Sequence, residues 1–228
     1  MSRARRNGLI LLAAALLLHG ALALQQRGRE AWSGVPPAPP VLAASALALG
    51  DPQLFYRAAA LALQNMGDGG AQVTPLADYD HARLADWLDL LDRLDPKARH
   101  APTLAAYYFG QTPDPDGLRR IVAYLSRVGA RDPARNWRWL SHAAYLARHR
   151  LNDLPLALAV ARNLAGLPEG QVPLWARQMP AFLLAEAGER TAARDLMAAI
   201  RATDANLSPD EIALIERFIA RQQVAPRP

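Results

Sequence analysis

The sequence predicts an all-α protein: an α-solenoid of about four helix pairs closed by a C-terminal capping helix. Three observations lead there. Ala, Leu and Arg dominate the chain, a set that favours helix and gives strands little support. Proline follows a capping residue at Asp51-Pro52, Asp114-Pro115, Asp132-Pro133 and Ser208-Pro209, which is how many helices begin. A hairpin pattern recurs after thirty-six residues: Trp139 precedes Trp175 by that interval, Asn152 precedes Gly188, Ala157 precedes Ala193, Ala161 precedes Met197 and Leu164 precedes Ile200. A fixed period of that size marks stacked helical hairpins.

The chain has 228 residues, 51% of them apolar, enough for one domain with a real core plus a tether. Residues 1–24 are the expected tether. Arg3, Arg5 and Arg6 precede an apolar run, residues 8–24, broken only by His19. Read as an uncleaved anchor, the run holds the N-terminus in the cytoplasm and the rest outside. Read as a signal peptide, it offers Ala21-Leu22-Ala23 as a small-x-small cleavage site. Either way residues 25–228 are exported, to the periplasm if the cell is a Gram-negative bacterium. Residues 25–48 read as a linker, with Val35-Pro36-Pro37-Ala38-Pro39-Pro40 favouring an extended, semi-rigid spacer.

The helical domain is expected over residues 49–224, with a short tail, 225–228. Its first helix runs from Pro52 to about Met66 and stops at Gly67-Asp68-Gly69-Gly70. The second runs from Asp78 to Leu94 and carries Leu84, Leu88, Leu91 and Leu94 at helical spacing, with Asp80, Asp86, Asp89 and Asp92 largely between them. Next come 101–110, ending at a glycine, and a helix from Pro115 to about Val128. The hairpin of the period follows: one helix containing Trp137 and Trp139, a break at Asn152-Asp153, and a partner helix to about Ala165. The next pair spans about 173–187 and 189–202, with Gly188 at the turn and Pro180 inside the first helix, where it removes a backbone bond. Ser208-Pro209-Asp210-Glu211 is a capping box opening the last helix, to about Gln223.

The motif Leu151-Asn152-Asp153-x-x-x-Ala157-x-x-x-Ala161-x-x-Leu164 resembles the second half of a tetratricopeptide repeat (TPR). So does Ala187-Gly188-Glu189-x-x-x-Ala193-x-x-x-Met197-x-x-Ile200. The first helices depart from that family: its aromatic and glycine positions fall on Ser141 and Tyr145, and on Arg177 and Ala181. Residues 49–200 also resemble uncharacterised bacterial membrane-anchored TPR-like proteins, above all in GDPQLFYRAAALALQNMGD and PLWARQMPAF. The TPR resemblance implies that the first helix of each pair lines a groove. It places Trp139, His142, Leu146, His149 and Arg150 there from one pair, and Trp175, Gln178, Phe182 and Glu186 from the next. Such a face suits an extended or helical peptide. The competing reading makes the tryptophans inter-repeat packing. The basic-and-asparagine clamp with which some TPR domains hold a terminal carboxylate is absent.

Little chemistry is legible. Zero cysteines exclude disulfides and thiolate catalysis. The net charge of +5 falls to +2 without the three leading arginines, and arginine is interspersed with acids, so no nucleic-acid partner is indicated. No HExxH, nucleophile elbow or phosphate loop occurs, and His142 and His149 lie two turns apart, too far for a usual zinc pair. No catalytic residue, cofactor or metal is therefore expected. The expected function is a membrane-anchored scaffold or adaptor that binds a protein or peptide partner in a cell-envelope complex. The alternatives are an accessory structural subunit of a membrane complex, and an envelope enzyme using the Asp-rich helix 78–95 and the loop 67–77.

Overall fold

The computed structural model describes residues 12–17, 21, 35–69, 72–167 and 170–223. It is all-helical apart from a two-residue antiparallel ladder pairing Asp68–Gly69 with Gln72–Val73. The described part of the apolar segment, residues 12–17 and 21, is helical and exposed; most of that segment, and the cleavage site, lie outside the described residues. Among the described residues no helix is long and apolar enough to cross a membrane.

Ten α-helices follow Pro40: α1 (Val41–Leu47), α2 (Pro52–Gln64), α3 (His81–Leu94), α4 (His100–Tyr107), α5 (Pro115–Arg131), α6 (Pro133–His149), α7 (Leu154–Ala165), α8 (Leu174–Glu186), α9 (Arg190–Thr203) and α10 (Pro209–Gln223). Their starts are set locally. The carboxylates of Asp51, Asp80, Asp114, Asp132 and Asp153 each accept N–H bonds from the first turn that follows, for example Gly117 N–H to Asp114 at 2.8 Å and Leu156 N–H to Asp153 at 3.0 Å. Each such cap is worth about 1 kcal/mol. At α10 the capping box is reciprocal: Ser208 N–H donates to Glu211 at 2.8 Å, and Glu211 N–H donates to Ser208 Oγ at 3.3 Å.

Three boundaries differ from expectation by three residues, one being the end of α5, expected near Val128 and found at Arg131. The helix expected from Asp78 begins at His81, because Asp80 caps it and Tyr79 is extended; a 3-10 turn, Leu76–Asp78, precedes them. The Tyr79 hydroxyl donates to the Met66 carbonyl and closes the loop back on the end of α2. The segment expected helical to Gly110 ends at Tyr107 and continues as a 3-10 turn, Phe109–Gln111. Pro180 sits inside α8 without ending it, although the Ala176 carbonyl loses its usual donor.

Each helix packs on the next in sequence. In addition α2 touches α4, α4 touches α6 and α6 touches α8, so the even-numbered helices form a row. One continuous core runs through the domain, from Val35 and Tyr56 through Leu84, Ile121 and Leu140 to Ala193 and Phe218.

The linker expectation needs correction. Val35 is 2% exposed and joins that core. Its carbonyl accepts from Arg83 Nη1 at 3.0 Å, and the Pro36 carbonyl accepts from Trp87 Nε1 at 2.8 Å. The Trp87 ring stacks on Phe55 at 6.4 Å. Prolines cannot donate, but their neighbouring carbonyls accept, and α3 supplies the donors. The described residues therefore dock a strap, 35–40, and then form α1 inside the stretch expected to be spacer, so the folded unit includes residues 35–48 as well as those from 49 on.

Among the described residues one ion pair is buried on both sides. Arg177 Nη1 donates to Asp204 Oδ2 at 2.7 Å, both side chains being 7% exposed, and it ties α8 to the α9–α10 turn. Asp204→Ala leaves the guanidinium buried without a counter-charge, which costs about 3–5 kcal/mol. Glu216→Ala, which breaks the exposed Arg201–Glu216 pair, costs less than about 1 kcal/mol. Urea denaturation of the two variants checks the contrast.

Candidate functional site

The row of even-numbered helices carries the candidate site. A cleft of about 420 Å³ opens between α4, α6 and α8. Tyr107 closes one side from the end of α4. Trp137, Arg138, Ser141, His142 and Tyr145 line it from α6, and Trp175 and Met179 from α8. Its geometry follows from α6. Leu140, Ala143, Ala144 and Ala147 are buried on one side of that helix. Residues 138, 142, 145 and 149 repeat at helical spacing on the other and remain accessible.

The rings are in mutual contact. Trp137 meets Trp175 edge to face at 5.4 Å, and the Arg138 guanidinium lies 5.6 Å over Trp137. His142 lies 4.7 Å from Tyr107 and 5.9 Å from Tyr145, which lies 5.0 Å from His149. The Ala106 carbonyl can only accept, so His142 Nε2, 2.8 Å away, carries a proton and the ring is held by α4. Burial pushes the His142 pKa down, and that hydrogen bond partly offsets it. At the floor, Ser141 Oγ is buried without a hydrogen-bond partner in the protein. No lining residue is acidic. The arrangement offers aromatic faces, one exposed guanidinium and an unfilled hydroxyl. It can hold a partly apolar ligand but contains no nucleophile–base pair.

The residues expected in the groove divide. His142 and Trp175 line the cleft. His149, Phe182 and Glu186 lie beyond its rim and are exposed. Phe182 meets Phe218 of α10 at 5.0 Å, and Glu186 accepts from Arg148 Nε at 2.8 Å, which holds its carboxyl below the usual range. Arg150 instead reaches back to Gln111 Oε1 at 2.9 Å and to the Thr112 carbonyl. Trp139, Leu146 and Gln178 are corrections: they are 4%, 1% and 3% exposed, and no partner reaches them. Trp139 follows Trp137 by two residues, some 200° around a helix, so only Trp137 can face the cleft.

The thirty-six-residue period misplaced this face for a reason now visible. Asn152 and Gly188 occupy the same left-handed turn, φ 53° and 83°, and Ala157, Ala161 and Leu164 are buried like Ala193, Met197 and Ile200. There the period holds. On the exposed face the interval is thirty-seven: Arg138 corresponds to Trp175, His142 to Met179, Tyr145 to Phe182 and His149 to Glu186. One extra residue is about 100° of rotation. Trp175 is therefore 53% exposed where Trp139 is buried. The buried alanine stripe on α6 was the available signal for Trp137, Arg138 and Tyr145.

The Asp-rich helix is engaged elsewhere. Asp80 caps α3, Asp89 pairs with Arg127, and Asp92 pairs with Arg131, fastening α3 to α5. Among the described residues no cluster of three or more His, Cys, Asp or Glu could hold a metal. His81 is buried with Nδ1 3.3 Å from Asp114, and Gly117 leaves room for its ring, which a Cβ there would strike. Burial pushes the His81 pKa down; Asp114 opposes this only in part.

These two histidines set a pH dependence. Both have folded-state pKa values below the ordinary 6.5, so the unfolded chain takes up protons first. Their contribution is full above about pH 6.5 and declines as pH falls from there. The depressed carboxyls of Asp153, Glu186 and Glu211 lose their contribution only at lower pH. The urea midpoint therefore drops between about pH 7 and about pH 5.5, and the His81→Gln/His142→Gln variant shows a shallower drop.

A scan against protein-family models, a search of curated proteins and a search of solved structures each find no match to this chain.

Proposed function

We propose that this protein is a membrane-anchored scaffold or adaptor, a TPR-like α-solenoid whose even-numbered helices present a binding face to a protein or peptide partner in a bacterial cell-envelope complex. The observation that carries this is the cleft between α4, α6 and α8, with its linked rings and acid-free lining. Aromatic anchors beside an arginine are the side chains that dominate protein interfaces. The row of alternate helices, each touching the next, and the repeated left-handed turns support the repeat architecture. The apolar segment behind three arginines supports an inner-membrane anchor with the domain in the periplasm. The engagement of Asp80, Asp89 and Asp92 in a cap and ion pairs favours a scaffold over an enzyme centred on residues 67–95.

A photo-crosslinker at Tyr145 captures the partner from membranes, and one at Arg162, on α7, does not. Trp175→Ala folds normally, since that ring is largely exposed, and weakens capture by roughly tenfold or more, about 1.4 kcal/mol or greater. Trp139→Ala instead lowers stability by about 3–5 kcal/mol, as for other buried rings. Unchanged capture by folded Trp175→Ala and Tyr145→Ala variants overturns the groove reading. A reporter fused after Pro228 is active in the periplasm; activity only in the cytoplasm overturns the orientation.

A further inference from the structure

The second exposed apolar surface lies at the other end of the chain and differs in kind. Leu42, Leu47, Leu49, Leu54 and Leu61 are all exposed, within twenty residues of sequence on α1, α2 and the turn between them. Leu42 is 83% and Leu49 96% exposed. Isolated exposed leucines are ordinary, but five within twenty residues, on two packed helices and the turn between them, call for a cover. Leu49 also sits at φ 56°, a left-handed conformation that is strained for a non-glycine residue. The α1 terminus holds it there: Leu49 N–H donates to the Ala46 carbonyl at 3.1 Å and Gly50 N–H to the Ser45 carbonyl at 2.8 Å. The side chain is thereby turned outward with no protein neighbour to reward the strain.

We infer that this α1–α2 corner rests in the interfacial layer of the lipid bilayer. Two observations select lipid over other covers. The first is tether length. With the strap docked from Val35, at most residues 25–34 separate the apolar segment from the fold, and ten residues span at most about 36 Å. The twenty-four residues first read as spacer would have allowed about 86 Å. The corner follows the strap immediately in sequence and packs against α3, the helix that holds it. The second is chemistry. The patch is aliphatic, with no ring and no directional donor among the five leucines. Within residues 41–61 the single acid is Asp51, already occupied by the Gln53 and Leu54 N–H groups. The single base is Arg57, exposed and between Leu54 and Leu61 on the helix surface. Leucines seated about 5–10 Å into the headgroup boundary, with an arginine reaching up to phosphate, is how interfacial helices lie.

This rests on the anchoring proposed above, and the test separates the two. The chain has no cysteine, so Leu49→Cys, Leu42→Cys and, as a distant control, Glu189→Cys each give one labelling site. The full-length protein, carrying a polarity-sensitive fluorophore at one of these, is reconstituted into phosphatidylethanolamine–phosphatidylglycerol vesicles. The labels at 49 and 42 emit to the blue of the label at 189 and are quenched by lipids bearing a nitroxide near the headgroup. A protein that pellets with vesicles through an alkaline wash while its 49 and 42 labels emit as in water overturns this proposal and leaves the anchor standing. Blue-shifted emission that nitroxide lipids fail to quench means that protein, not lipid, covers the patch, and also overturns it. Release from the vesicles in the alkaline wash defeats both readings.

Discussion

The fold depends on how closely α6 can approach its neighbours. One side of that helix carries Ala143, Ala144 and Ala147, and α7 answers with Ala157 and Ala161, all buried. On α5, Gly129 faces Leu140; a Cβ there would lie 3.1 Å from the Leu140 backbone nitrogen and would strike its side chain. Small residues on facing helices let the backbones come together and pack densely. Having buried that side against α5 and α7, and touching α4 and α8 at its edges, α6 has one stripe left. The aromatic cleft is that stripe. The exposed aromatic face is thus a by-product of packing order: the stripe of α6 that no neighbour covers is the one free to carry large side chains.

This constraint also explains what was legible in the sequence. Caps are local events, so Asp51, Asp114, Asp132 and Ser208–Glu211 could be read from residue type and spacing alone. The period between α7 and α9 was legible because tight packing tolerates few residue types: Ala157, Ala161 and Leu164 recur as Ala193, Met197 and Ile200. The groove was not legible by the same rule. An exposed stripe is not forced to repeat, and α8 turns its face by one residue relative to α6. A shared tryptophan letter, Trp139 and Trp175, therefore hid opposite environments.

Long-range pairings escaped for a different reason. Nothing near Asp204 announces that Arg177, twenty-seven residues earlier, lies buried against it. Nothing in Val35-Pro36 announces that Arg83 and Trp87, some fifty residues later, supply the donors for its carbonyls. Proline-rich composition signals extended backbone, and residues 36–40 are neither helix nor strand. Composition gives no information on whether an extended segment is free or docked. The buried Val35 side chain decides it here.

The α1–α2 corner and the α4–α6–α8 cleft differ in the way that their proposed partners, lipid and peptide, differ. A bilayer interface offers area without fixed hydrogen-bond geometry, so flexible aliphatic side chains satisfy it and directional groups add nothing. A peptide brings backbone amides and defined side chains, so a site for one gains from rings held in place and from polar groups awaiting a partner. The α1–α2 corner has leucines and one arginine; the α4–α6–α8 cleft has a histidine fixed by the Ala106 carbonyl, an arginine over a tryptophan and an unfilled serine hydroxyl. Exchanging the two assignments would place His142 and Ser141 against hydrocarbon, where a polar group without a partner is costly. It would also ask leucines to discriminate among peptides, which their non-directional contacts do poorly. The chemistry of each surface, more than its apolar area, is what supports the partner proposed for it.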